Sequence, residues 1–135
     1  MSIETPNIQN AIRLVKFYVS STECKINSHH DEDIAKDVSI QLNVSTGFRE
    51  DDDRNYVITF KLDISSKESN DLEIKIIASA LFETESPMTH EFRDSHFVKS
   101  NSPAIAFPFL RSFVNTLTTN SGISPILLPS FNFSK

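Results

Sequence analysis

The segment Val38–Phe82 reads VSIQLNVSTGFREDDDRNYVITFKLDISSKESNDLEIKIIASALF, and its alternation decides the fold. Val38, Ile40, Leu42 and Val44 alternate with Ser39, Gln41, Asn43 and Ser45. After the charged turn Arg49–Arg54, Tyr56, Ile58, Phe60, Leu62 and Ile64 alternate with residues such as Thr59, Lys61 and Asp63. A second polar turn, Ser65–Asn70, leads to Leu72, Ile74, Ile76, Ala78, Ala80 and Phe82 on one face. Successive strand side chains point to opposite faces, so this period of two predicts three strands with one apolar face. The short polar turns make them an antiparallel meander, and such a sheet needs cover on one side only.

Upstream, Ala11–Ile26 carries Ile12, Leu14, Val15, Phe17, Tyr18, Val19, Cys24 and Ile26. β-branched and aromatic residues dominate it, which favours a long first strand over a helix. The polar run Asn27–Lys36, with HHDED at His29–Asp33, reads as a loop long enough to cross over. Residues 1–10 are polar and are expected to form a flexible N-terminus. Downstream, Glu83–Lys99 is a mixed link, and Pro108 is expected to open a helix, where a missing N–H costs nothing. Phe109, Phe113 and Leu117 would then form its apolar stripe with Leu110 and Val114 beside them, and Asn120-Ser121-Gly122 would stop it. The sum is an α+β domain: a four-stranded sheet with one helix to cover it.

Bulk properties exclude more than they choose. The chain has 135 residues and a formal charge of −5, which argues against the basic footprint of a nucleic-acid binder. No apolar run approaches the roughly 20 residues of a membrane span, and MSIETPNIQN has no secretory leader pattern. A single cysteine, Cys24, fits a reducing compartment, so a cytoplasmic location without membrane insertion is expected.

Residues that could carry chemistry do not assemble into a site. His29, His30, Asp31, Glu32 and Asp33 have metal-ligand types but no partner at zinc spacing, with His90 and His96 distant. Glu50–Asp53 lacks the alternation and glycine of a calcium loop. Cys24 has no second cysteine to pair with and reads as a buried apolar thiol, and with only Gly47 and Gly122 no phosphate-cradling loop can be written. No catalytic residue, metal or cofactor is expected. The apolar surplus is more telling: of eleven phenylalanines, six fall after residue 95, more than one sheet-and-helix layer readily buries. The remainder should mark an interface or an exposed groove.

The end of the chain, Ser102–Phe133, reads SPAIAFPFLRSFVNTLTTNSGISPILLPSFNF. In Ile105, Phe107, Pro108, Arg111, Gly122, Pro125, Leu127, Pro129, Asn132 and Phe133 it resembles the SecB protein-export chaperone family. That resemblance implies a four-stranded antiparallel sheet with a crossover between its first two strands, one long helix packed on it, and a dimer of dimers. It also implies an ATP-independent holdase that keeps unfolded precursors, or preproteins, competent for export in the cytosol and can pass them to the export ATPase SecA. On this view residues 11–135 are a single SecB-like chaperone domain of a short form, without the family's C-terminal helix and tail. The client groove is expected along Ile34, Val38, Ile40, Leu42, Val44, Leu127, Leu128, Phe131 and Phe133. Leu110, Phe113, Val114 and Leu117 are assigned to core or oligomer contacts, and Glu23 and Glu73 to a motor-facing surface. Two alternatives stand beside this: a SecB-like chaperone dedicated to one partner such as an antitoxin, and a structural homo-oligomeric adaptor.

Overall fold

The computed structural model describes residues 11–27 and 37–134. Four strands come first, β1 (Ile12–Ile26), β2 (Val38–Arg49), β3 (Asp52–Ser66) and β4 (Leu72–Thr84). A one-turn helix α1 (His90–Arg93) follows, then a wide π turn over Phe97–Asn101 running into the long helix α2 (Ser102–Asn120). The sheet order is β1-β4-β3-β2 and every neighbouring pair is antiparallel. The meander β2-β3-β4 is therefore as the alternation predicts, and β1 lies at the far edge from β2, so the chain crosses the sheet between them. The expected α+β architecture is observed.

Register follows from which side chains must be buried. Ile40, Leu42 and Val44 stand opposite Ile64, Leu62 and Phe60, which in turn face Ile74, Ile76 and Ala78. A slip by one residue would turn this whole apolar set to water. All five inward apolar residues of β3, Tyr56 to Ile64, and all six of β4, Leu72 to Phe82, are buried. At roughly 1.5–3 kcal/mol for each fully buried large side chain, these two central strands dominate the stability of the domain. β1 departs from regularity at two bulges, between Leu14 and Lys16 and between Val19 and Ser21. These keep Leu14, Phe17 and Val19 on the covered face although their spacing is not strictly two.

The helix corrects the expectation in two ways. It begins at Ser102, not Pro108, with Pro103 in the first turn. Pro103 thus opens the helix, and Pro108 lies inside it. Proline's missing N–H frees the carbonyl of Ala104, but both residues are exposed and water can satisfy that oxygen. The buried stripe is also rotated by one position: Ala106, Leu110, Val114 and Thr118 face the sheet, while Phe109 is 50% exposed and Phe113 and Leu117 are half-buried. Pro108 satisfies the rule for a first-turn proline while lying in the helix interior, and the large phenylalanines Phe109 and Phe113 flank the buried stripe rather than form it.

Both helix ends have definite chemistry. At the start, Ser102 is buried; its hydroxyl donates to the carbonyl of Phe97 at 2.8 Å and lies 2.6 Å from the Tyr56 hydroxyl. That contact fastens the π turn to β3. Burial pushes the Tyr56 phenol up to about 12, with the Ser102 hydrogen bond opposing the shift. At the end, Gly122 takes φ 89°, the Ile123 N–H reaches the Thr118 carbonyl and the Gly122 N–H reaches that of Thr119. This pair of bonds is the Schellman arrangement, which satisfies carbonyls the helix leaves open.

Candidate functional site

One face of the sheet is covered unevenly. The helix and the chain after it lie over β1, β4 and β3, whereas the inward residues of β2 are only half covered. Val38, Ile40 and Leu42 are half-buried and Val44 is 37% exposed. β2 is also a sheet edge, and among the described residues no strand pairs with its outer side. Edges are ordinarily blunted by charge, proline or bulges. From Val38 to Phe48 the strand has no charged residue and no proline, and its register is unbroken until Phe48 and Arg49. β1 is the opposite kind of edge, with two bulges and the charges of Arg13, Lys16, Glu23 and Lys25.

The segment after α2 completes the site. Ile126 and Leu128 are buried to 3% exposure while Leu127 between them is 68% exposed, the alternation of an extended strap. Two hydrogen bonds hold it down. The Ile126 N–H donates to Thr118 Oγ1 at 3.0 Å, and Arg111 Nε donates to the Leu128 carbonyl at 3.3 Å. The Thr118 hydroxyl in turn donates back to the Val114 carbonyl at 2.9 Å. Beyond Pro129, the rings of Phe131 and Phe133 meet Phe107 edge-on, with centroids 5.4 and 5.7 Å away. The Arg111 guanidinium lies 4.9 Å from the same Phe107 ring. Phe107 is 6.5 Å from Phe60, and Phe60 stands directly opposite Val44 on β2. An apolar path therefore runs from the β2 edge through Phe60 and Phe107 to the strap.

Of the residues expected in the groove, Val38, Ile40, Leu42 and Val44 share the inward side of β2, and Leu127, Leu128, Phe131 and Phe133 lie on the strap. Leu128 points into the core and Leu127 away from it. Ile34 and the His29–Asp33 run lie outside the described residues. Leu110 and Val114 are fully buried under the sheet, and Phe113 and Leu117 flank them. The roles of Thr118 and Arg111 in holding the strap have no signature in the local sequence. Thr118 could have been noticed as a polar residue in phase with Ala106, Leu110 and Val114.

Glu23 and Glu73 lie on the opposite, outer face of the sheet. Lys25 Nζ is 3.3 Å from Glu23 and Lys75 Nζ is 3.9 Å from Glu73, while the register sets Glu23 against Lys75 and Lys25 against Glu73. Each carboxylate thus faces lysines along its strand and across it. Among the described residues no three histidine, cysteine or acidic side chains converge as metal ligands would, and no helix is long and apolar enough to cross a membrane.

Comparison with known proteins gives this arrangement a family. The sequence model for the preprotein translocase subunit SecB matches residues 2–135. The chain belongs to the SecB family. It is 28% identical over 105 residues to the protein-export protein SecB of Ruegeria pomeroyi, covering 75% of this chain and 62% of that protein. It is 21% identical over 125 residues to an uncharacterized protein of Methanocaldococcus jannaschii, covering 90% of this chain and 79% of that one. Among solved structures, the fold is similar to that of a SecB-like chaperone of Mycobacterium tuberculosis in complex with a peptide from an antitoxin. The TM-score is 0.73 at 12% identity, over 89% of this chain and 90% of that one. A protein of unknown function from Streptococcus agalactiae follows at TM-score 0.51 and 10% identity, over 90% and 98% of the two chains. SecB membership supports a chaperone role for the chain.

Proposed function

We propose that this SecB-family chain is an ATP-independent holdase, not an enzyme, that binds unfolded or partly folded polypeptide along β2 and keeps it competent for export. The observation that carries this reading is the undefended β2 edge beside half-covered Ile40, Leu42 and Val44. An extended client can add to such an edge through its backbone, which is indifferent to sequence, while alternate side chains rest on the apolar strip. Breadth of clients follows from that mode. A location in the cytosol and assembly as a dimer of dimers complete the proposal. Ile105 and Phe109, one turn apart on the outer side of α2, are exposed apolar residues available for assembly.

Handover to SecA through Glu23 and Glu73 has less support, because the lysines around both carboxylates cancel their field. A second reading is a chaperone dedicated to one partner such as an antitoxin, favoured by the fold likeness to the mycobacterial chaperone bound to an antitoxin peptide.

The test is suppression of aggregation of several chemically unfolded proteins, followed by light scattering without ATP. Wild type should suppress unrelated clients near stoichiometric ratio. The Leu42→Ser variant should hold them about tenfold more weakly, a loss of roughly 1.4 kcal/mol. Failure with every client by a folded wild-type protein would reject the general holdase. Unchanged holding by Leu42→Ser would reject β2 as the groove.

A further inference from the structure

The strap divides into two halves held by different forces. Ile126 and Leu128 are buried and hydrogen-bonded through Thr118 and Arg111. Among the described residues, no backbone-to-backbone hydrogen bond joins residues 129–134 to the sheet or to α2. Asn132 turns back locally, its Oδ1 accepting from the Ser134 N–H at 3.0 Å. What holds this second half is Phe131 and Phe133, both half-buried, set against the 4%-exposed Phe107. Phe107 is covered by these two rings together with the Arg111 guanidinium, and the contacts that the two rings make are apolar and aromatic packing. Removing them would open the ring of Phe107, which lies 6.5 Å from Phe60, the residue opposite Val44 on β2.

We infer that Phe131 and Phe133 are a displaceable internal plug: they occupy an aromatic subsite rather than line it, and a segment with aromatic residues two positions apart takes their place. The inference rests on the client-groove reading and adds regulation and a ligand class to it. Phe131 and Phe133 both reach Phe107 with a local turn at Asn132–Ser134, and two aromatic rings at i and i+2 on an extended client segment would likewise project to one side. The plug makes only part of the population competent, and apparent affinity falls by that fraction. It also keeps the aromatic surface from water when no client is present, where a bare patch would invite association.

The experiment uses a fluorescein-labelled peptide of the chain's own sequence, SPILLPSFNFS, titrated by anisotropy into wild type and into the Phe131→Ser/Phe133→Ser variant. Ile126 and Leu128 stay docked in both proteins, so the difference reads the aromatic half alone. The variant should bind on the order of tenfold more tightly than wild type. A control peptide with serine at both aromatic positions should bind both proteins equally weakly. Equal binding of the aromatic peptide to both proteins, or tighter binding to wild type, would overturn the plug. Should the double variant not fold, 4-fluorophenylalanine at position 131 of the otherwise wild-type chain gives the same decision. Its fluorine signal should move toward the solvent-exposed value as peptide is added, and an unmoved signal at saturation would reject displacement. Failure of the chaperone reading shows separately, as absence of client holding and of any Leu42→Ser effect.

Discussion

At the scale of single residues, Thr118 does more than its neighbours suggest. Its hydroxyl caps a helical carbonyl and at once accepts from the buried N–H of Ile126, so one oxygen joins α2 to the strap. Thr118→Val keeps the shape and removes both bonds. An orphaned buried N–H costs about 1–3 kcal/mol, and the loss should appear as a lower urea midpoint with an unchanged slope. Arg111 works beside it with two functions in one side chain, a hydrogen bond to Leu128 and a cation over the Phe107 ring. In the acidic hairpin turn, Asp52 accepts from the backbone N–H of Arg54 and of Asn55 and from the Asn55 side chain. The Arg54 N–H is the main cause that lowers its pKa below the usual carboxylate value. The acidic run that superficially resembled a calcium loop is thus a hydrogen-bonded turn.

Elements show where the sequence could be read and where it could not. The strands were legible because β3 and β4 bury one face completely, which forces strict alternation at Tyr56–Ile64 and Leu72–Phe82. β1 was legible as a strand but not in register, since its two bulges break the period at Val15 and Ser20. The start of α2 was missed because Pro108 satisfies the sequence rule for a first turn while sitting in the helix interior. Its end was legible, because only glycine takes φ 89° without strain. No heavy atom beyond its chain neighbours lies within 4 Å of a Cβ built at Gly122, so Gly122→Ala should cost backbone strain alone. The expected loss is about 1–2 kcal/mol, measurable as a lower thermal midpoint. For the candidate site, β2 and the strap could be named from sequence, but the path joining them could not. That path depends on Phe60 and Phe107 meeting across layers, a contact with no local signature.

The whole molecule is a sheet with two dissimilar edges and two dissimilar faces. The outer face is nearly self-neutralised, the inner face is covered except along β2, and the outer side of α2 shows Ile105 and Phe109, the latter stacked 5.7 Å from Phe17 of β1. If assembly uses that side, Phe109→Asp should shift the particle to a smaller mass by multi-angle light scattering. The circular dichroism of the fold should be kept, because Phe109 lies outside the core. An unchanged mass would place the assembly surface elsewhere. The order of the strands also bears on how the chain comes into being. β1 is made first, yet its hydrogen-bonding partner β4 is the last strand to leave the ribosome, with Ile12 waiting for Thr84. Pairings between residues so far apart in sequence form slowly. Until β4 arrives, Leu14, Phe17 and Val19 have no sheet to lie on, and the nascent protein is itself an unfolded polypeptide of the kind it is proposed to hold.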